Sequence, residues 1–121
     1  MPSYKIYEDE NCFAFLCKPQ SAPGHTMVVL KKHGYSILEY DKSKLGELMG
    51  GVQEVAKKIK KALKTDSITI GINHEEKRGV PHLHVHLIPR WDNDKGGIIQ
   101  STVQNSPKEP LESIAEKLRK A

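Results

Sequence analysis

Residues 82 to 91 read His-Leu-His-Val-His-Leu-Ile-Pro-Arg-Trp, placing three of the chain's six histidines at every second position. Alternation of apolar and polar residues with period two marks a half-buried strand. Successive side chains on a strand point to opposite faces at a rise of about 3.3 Å, so His82, His84 and His86 share one face and Leu83, Val85 and Leu87 the other. A neutral imidazole, with an ordinary pKa of about 6.5, can attack phosphorus and carry a phosphoryl or nucleotidyl group. In that chemistry the middle ring, His84, is the nucleophile. His86 donates to a nonbridging phosphate oxygen as charge develops, and His82 buttresses the array from the other side.

Two other readings compete. A single histidine on a strand is ordinarily structural, but three in succession on one face repel when protonated and leave hydrogen-bonding groups idle when neutral. The second is metal binding. Histidines at i and i+2 can share a zinc ion, but the outer pair stands about 13 Å apart along an extended strand. Further ligands would then come from His25, His33, His74, Cys12 or Cys17, and no paired-cysteine zinc spacing is present.

The elements that must hold this strand can be read from the rest of the chain. Its 121 residues suffice for one domain with one core, and 37% hydrophobic with 28% charged residues is an ordinary globular composition. Residues 3 to 8 and 11 to 17 read as a hairpin turning near Asp9, Glu10 and Asn11, and residues 25 to 31 as a third strand. Leu45, Leu48, Met49, Val52, Val55, Ala56, Ile59 and Leu63 form an apolar stripe at three-and-four spacing, which predicts a long helix over 43 to 64. Gly50 and Gly51 lie inside it at about 1 kcal/mol each relative to Ala, so close packing on the sheet or a partner subunit should compensate.

Residues 67 to 73 read as a fourth strand. The polar loop 74 to 81 then leads to the histidine strand, and Gly79 would let its main-chain N–H groups approach phosphate. Asn73, at the strand end, can contact a sugar or phosphate or simply form a turn. Residues 92 to 97 read as a flexible polar stretch, 98 to 104 as a strand or a tail crossing to another subunit, and 109 to 120 as a short amphipathic helix packed on the domain or on a partner.

The net charge of +4 does not make a nucleic-acid footprint, because the densest run, Lys57, Lys58, Lys60, Lys61 and Lys64, reads as a solvated helix face. No apolar run suits a membrane span and no leader pattern is read, so no membrane partner is expected and the cytoplasm is the expected location. Cys12 and Cys17, five apart on one strand, should face opposite ways as reduced thiols.

The segment HLHVHLIPR resembles the signature of the histidine-triad (HIT) family, His-apolar-His-apolar-His followed by apolar residues. The resemblance extends upstream, where Ala22, Pro23, Gly24 and His25, the run Thr26 to Leu30, and Lys31 to His33 are similar to the family's "APxH, apolar run, PKxH" strand; it covers roughly residues 2 to 91. It implies an α+β fold, with an antiparallel sheet of about five strands, one long helix and a short C-terminal helix. Residues 1 to 91 would be the core, and 92 to 121 a C-terminal extension of the same single domain. Members bind nucleotides, usually as homodimers, and hydrolyse or transfer at the α-phosphate of nucleoside phosphoramidates and related conjugates through a nucleotidyl-histidine. By position the resemblance implies His84 as nucleophile, His86 as phosphate donor, His82 as support and His25 beside them. Asn73 would contact the nucleotide and Phe15 would line the base pocket. The implied partner is a purine nucleotide or nucleotide conjugate, with no cofactor and no metal.

Several positions depart from the family pattern. Cys17 stands where many members have a ribose-gripping Asp, and a thiol is a weak hydrogen-bond partner. Lys18 replaces an apolar residue and could hold a phosphate or an acidic group. The loop before the triad is shorter than usual and reads Lys-Arg-Gly-Val over 77 to 80, so Arg78 would supply a forked donor to phosphate in place of a hydroxyl or amide. The chain starts almost at the first strand, so a more open purine pocket and no paired-cysteine zinc site are expected. A noncatalytic nucleotide-binding module is the alternative function, and a metal-binding protein using His82 to His86 with His25 is a third.

Overall fold

The computed structural model describes residues 4–77 and 81–121. Five strands, β1 (Lys5–Glu8), β2 (Cys12–Leu16), β3 (Thr26–Leu30), β4 (Ser67–Gly71) and β5 (His84–Arg90), form one sheet in the order β1-β2-β3-β5-β4, every neighbouring pair antiparallel. Helix α1 (Lys42–Leu63) connects β3 to β4, and helix α2 (Leu111–Lys120) closes the chain. The fold is α+β, as the resemblance implies.

Asp41 opens α1 by accepting the Lys44 N–H at 2.8 Å, satisfying one of the donors that a helix N-terminus leaves unpaired. Lys64 ends it in the left-handed conformation, with its N–H on the Lys60 carbonyl. The stripe Leu48, Val52, Val55 and Ile59 is buried against Ala14, Val28, Leu30, Val85 and Leu87 of the sheet. One sheet face is thereby consumed as core, and the other is left for chemistry.

The glycines of α1 differ. A Cβ on Gly51 would lie 2.9 Å from Cys12 Sγ and 3.1 Å from Cys12 Cβ, so its absence lets the helix approach β2. A Cβ on Gly50 would meet nothing within 4 Å. Close packing therefore accounts for Gly51 alone.

Boundaries shift in places. The histidine strand begins at His84, with His82 in the bend before it, although the alternation of burial already runs from His82. The fourth strand stops at Gly71, short of Asn73. Residues Ile99–Thr102 form a single 3₁₀ turn rather than a strand. No residue of α2 is buried: Leu111 and Leu118 are 73% and 72% exposed, and Ile114 and Ala115 are only partly covered. Cys12 and Cys17 are both free thiols. Among the described residues, no helix is long and apolar enough to cross a membrane.

The two glycines should respond oppositely to alanine. Gly51→Ala should lower stability by about 1–3 kcal/mol through overpacking against Cys12. Gly50→Ala should raise it by about 0.5–1 kcal/mol, the ordinary gain of an exposed helical site. Urea unfolding reads both, and a destabilised Gly50→Ala would mean that something packs on that face.

Candidate active site

Register builds the site. Along β5 and the two residues before it, Leu83, Val85, Leu87 and Pro89 turn to the core, while His82, His84, His86, Ile88 and Arg90 are half-buried on the opposite face. Pairing sets Phe15 opposite Met27 and Met27 opposite His86, so Phe15 and His86 lie in one row on the same face. The next row holds Phe13, Val29 and His84.

Hydrogen bonds to fixed partners determine where the imidazole protons sit. His84 Nδ1 is 2.7 Å from the His82 carbonyl, which can only accept, so Nδ1 carries the proton and Nε2 keeps its lone pair. His82 Nε2 donates likewise to the Leu30 carbonyl at 3.1 Å. The Ser21 N–H donates to His25 Nδ1 at 3.2 Å, so a neutral His25 carries its proton on Nε2. That proton points to His86 Nδ1 at 2.9 Å, which places the His86 proton on Nε2. One backbone amide thus orders two rings. The result is a bare nitrogen on His84 beside a donor nitrogen on His86, their ring centroids 4.9 Å apart.

His25, His82 and His86 are held toward neutrality. Burial lowers the pKa of His25 below the usual histidine range. Burial lowers that of His86 too, reinforced by the charges His84 and His25 would carry and opposed by Glu76. His82 is lowered chiefly by burial, then by His33 and His84. His33 and His82 form a second ring pair, centroids 4.6 Å apart.

The turn between β2 and β3 is braced by Gln20, whose Nε2 donates to the carbonyls of Cys17 (2.6 Å) and His25 (2.7 Å) while its Oε1 accepts from the Gly24 N–H at 2.8 Å. The bracing brings Cys17 to the histidines: Cys17, His25 and His86 each offer one donor atom, all within 4.8 Å of one another. Burial raises the Cys17 thiol pKa, against a smaller lowering by the Lys18 backbone N–H. Lys18 itself is exposed at the start of the turn.

A groove of about 510 Å³ opens beside His25 and His86, with Asn73, Ile88, Ile99 and Thr102 among its walls. Asn73 is exposed, and its carbonyl accepts the Glu76 N–H at 3.3 Å, so the turn-forming role holds for its backbone while its side chain remains at the groove. Beyond Thr69, which lines this groove, Arg90 grips Asp94 through two bonds of 2.7 and 3.0 Å and reaches the Gly97 carbonyl at 2.7 Å and Thr69 Oγ1 at 2.9 Å. This pairing holds the Asp94 carboxyl far below the usual carboxylate range. The stretch 92 to 97, expected to be flexible, is a hydrogen-bonded turn because Asp94 also accepts the Trp91 and Gly96 N–H groups.

Of the expected site residues, His25, His82, His84, His86, Phe15 and Cys17 gather on or beside this face, with Asn73 and Lys18 at its margins. Arg78 and Gly79 lie outside the described residues. Sequence reasoning missed Ser21, Gln20 and the Arg90–Asp94 clamp. It also considered His74 only as a metal ligand. In the fold His74 Nε2 accepts the Ile37 N–H at 3.0 Å and lies 3.1 Å from Ser36 Oγ, while Tyr35 O–H donates to the Glu76 carbonyl at 2.9 Å. These bonds tie the loop after β4 to the loop after β3. An exposed histidine in a polar loop gives no sequence signal for such a tie.

Comparison with known proteins agrees with this geometry. The HIT domain family matches residues 1–93. An uncharacterized HIT-like protein of Borreliella burgdorferi is 38% identical over 95% of this chain and 86% of its own length. The adenosine 5'-monophosphoramidase HNT1 of Saccharomyces cerevisiae is 30% identical over 98% of this chain and 73% of its own. The crystal structure of SMU.412c from Streptococcus mutans UA159 superposes with a TM-score of 0.84 at 37% identity, covering 99% of this chain and 77% of the other.

The lowered histidine pKa values bear on stability. His25, His82 and His86 titrate lower in the fold than in the unfolded chain, so as pH falls below about 6.5 the unfolded state takes up more protons and stability is lost. The urea midpoint should therefore drop between pH 7.5 and 5.5, above the carboxylate range, and His86→Asn should make that drop shallower. A midpoint independent of pH across this window would contradict the shifts.

Proposed function

The chain belongs to the HIT domain family, and on that premise we propose that it is a nucleotide-binding hydrolase or transferase. It acts at the α-phosphate of nucleoside phosphoramidates or related nucleotide conjugates through a nucleotidyl-histidine intermediate. The observation that carries this reading is the 2.7 Å bond from His84 Nδ1 to the His82 carbonyl, which leaves His84 Nε2 unprotonated beside the His86 N–H. The relative from yeast named as an adenosine 5'-monophosphoramidase supports the choice of leaving group.

In the proposed reaction His84 Nε2 attacks the α-phosphorus and the bond from phosphorus to the leaving amine breaks. The positive charge formed on the ring is held by the His82 carbonyl at Nδ1. His25 Nε2–H on His86 Nδ1 at 2.9 Å keeps the His86 proton on Nε2, where it would bond a nonbridging oxygen, and the departing amine would take its proton from water. Water then hydrolyses the nucleotidyl-histidine, or another acceptor takes the nucleotide. The purine would rest toward Phe15, with Cys17 where ribose-gripping carboxylates stand in many members.

A homodimer belongs to the same reading. It is supported by the open edge of β4, where Ile70 and neighbouring Ile72 are 40% and 38% exposed, and by the largely exposed apolar face of α2.

Intact mass after rapid quenching with an adenosine phosphoramidate tests the chemistry. The unmodified protein should gain one nucleotidyl mass, and His84→Ala should gain none and lose turnover by about 10³-fold or more while remaining folded. Full turnover in that variant would refute the proposal. Nucleotide binding without adduct or turnover would favour the noncatalytic module that Cys17 and residues 77 to 80 raise.

A further inference from the structure

The histidine strand alone is too extended to enclose an ion, yet the fold assembles a different donor set around its third member. Cys17 from the end of β2, His25 from the start of β3 and His86 from β5 each bring one ligand atom to within 4.8 Å of the others. They come from three adjacent strands, and their backbones are fixed. The Cys17 N–H donates to the His25 carbonyl at 2.8 Å, Gln20 clamps the turn between them, and Met27 pairs with His86. His25 is 5% exposed, Cys17 and His86 are half-buried, and the groove beside His86 leaves an approach for an ion and for a fourth ligand.

One thiolate and two imidazoles form a donor set suited to zinc. Bond lengths of about 2.0–2.1 Å to nitrogen and 2.3 Å to sulfur put tetrahedral ligands roughly 3.3–3.6 Å apart, inside the 4.8 Å that bounds the present spacing. The facing nitrogens of His25 and His86, at 2.9 Å, need open by only a few tenths of an ångström.

We propose that Cys17, His25 and His86 form a zinc site, with water as fourth ligand. The ion makes one bond to sulfur and two to nitrogen without change of oxidation state. The thiol proton of Cys17 leaves to solvent. The proton between the two rings must also vacate the facing nitrogens; when it moves to His25 Nδ1, the 3.2 Å bond from the Ser21 N–H is given up. The zinc site stands on geometry and donor chemistry alone, independently of the proposed function.

Cobalt(II) titration of reduced, tag-free protein without oxygen reads the site directly, since tetrahedral cobalt is coloured and a thiolate ligand adds a charge-transfer band in the near ultraviolet. One equivalent should bind with that band, and one equivalent of zinc should abolish it. Cys17→Ser should remove the band, His25→Gln should weaken binding by more than about tenfold, and Cys12→Ser should keep both. Absence of stoichiometric cobalt overturns the site. So does a thiolate band that survives Cys17→Ser, or binding that is lost only with His33→Ala, which would place the ion on the His33–His82 pair.

Discussion

Pairing of β5 between β3 and β4 is the constraint on which the rest of the molecule depends. Because β5 lies inside the sheet, ladders on both sides fix its register. A slip of one residue would turn three imidazoles into the core and expose Leu83, Val85 and Leu87. Exposing those three side chains alone would cost on the order of 5–9 kcal/mol, comparable with the whole stability of an ordinary domain. The reactive face is thus enforced by the packing of the opposite one. Helix α1 contributes through Val52 and Val55 without touching the chemistry.

From that fixed strand the site grows through main-chain groups. Carbonyls of His82 and Leu30 and the amide of Ser21 decide which imidazole nitrogens carry protons, and burial holds His25, His82 and His86 toward the neutral form. A neutral imidazole with a bare nitrogen and a neighbouring imidazole with an N–H are complementary tools for a tetrahedral anion: one supplies an electron pair, the other a proton. Strand geometry and dielectric environment act together here.

The parts of this arrangement legible in the sequence are those with a period. Alternation at 82 to 91 showed the histidine face, and the stripe from Leu45 to Leu63 showed the helix that covers its reverse. Where the period is missing, legibility ended. The meeting of His25 with His86 depends on which residues β3 and β5 pair, and no local pattern states that. Cys17 could be placed on a strand face but not beside two imidazoles, because the turn braced by Gln20 decides its approach. Asp94 looked like one of several polar residues in a glycine-rich stretch, and only the fold shows it clamped by Arg90. The apolar face of α2 was legible as a face, but its occupant was not, since amphipathicity specifies that something is covered and not by what.

The bond that orients His84 has an evolutionary consequence. Its acceptor is the carbonyl of His82, a main-chain atom that every amino acid possesses. In triads of serine, histidine and aspartate the orienting group is a side chain, and a single codon change removes it. Here no codon change at position 82 can delete the acceptor; substitution can act only by bending the backbone or repacking the ring. Drift at position 82 can therefore reshape the neighbourhood of the reactive nitrogen while its tautomer is inherited unchanged, a latitude that side-chain-oriented catalysts lack.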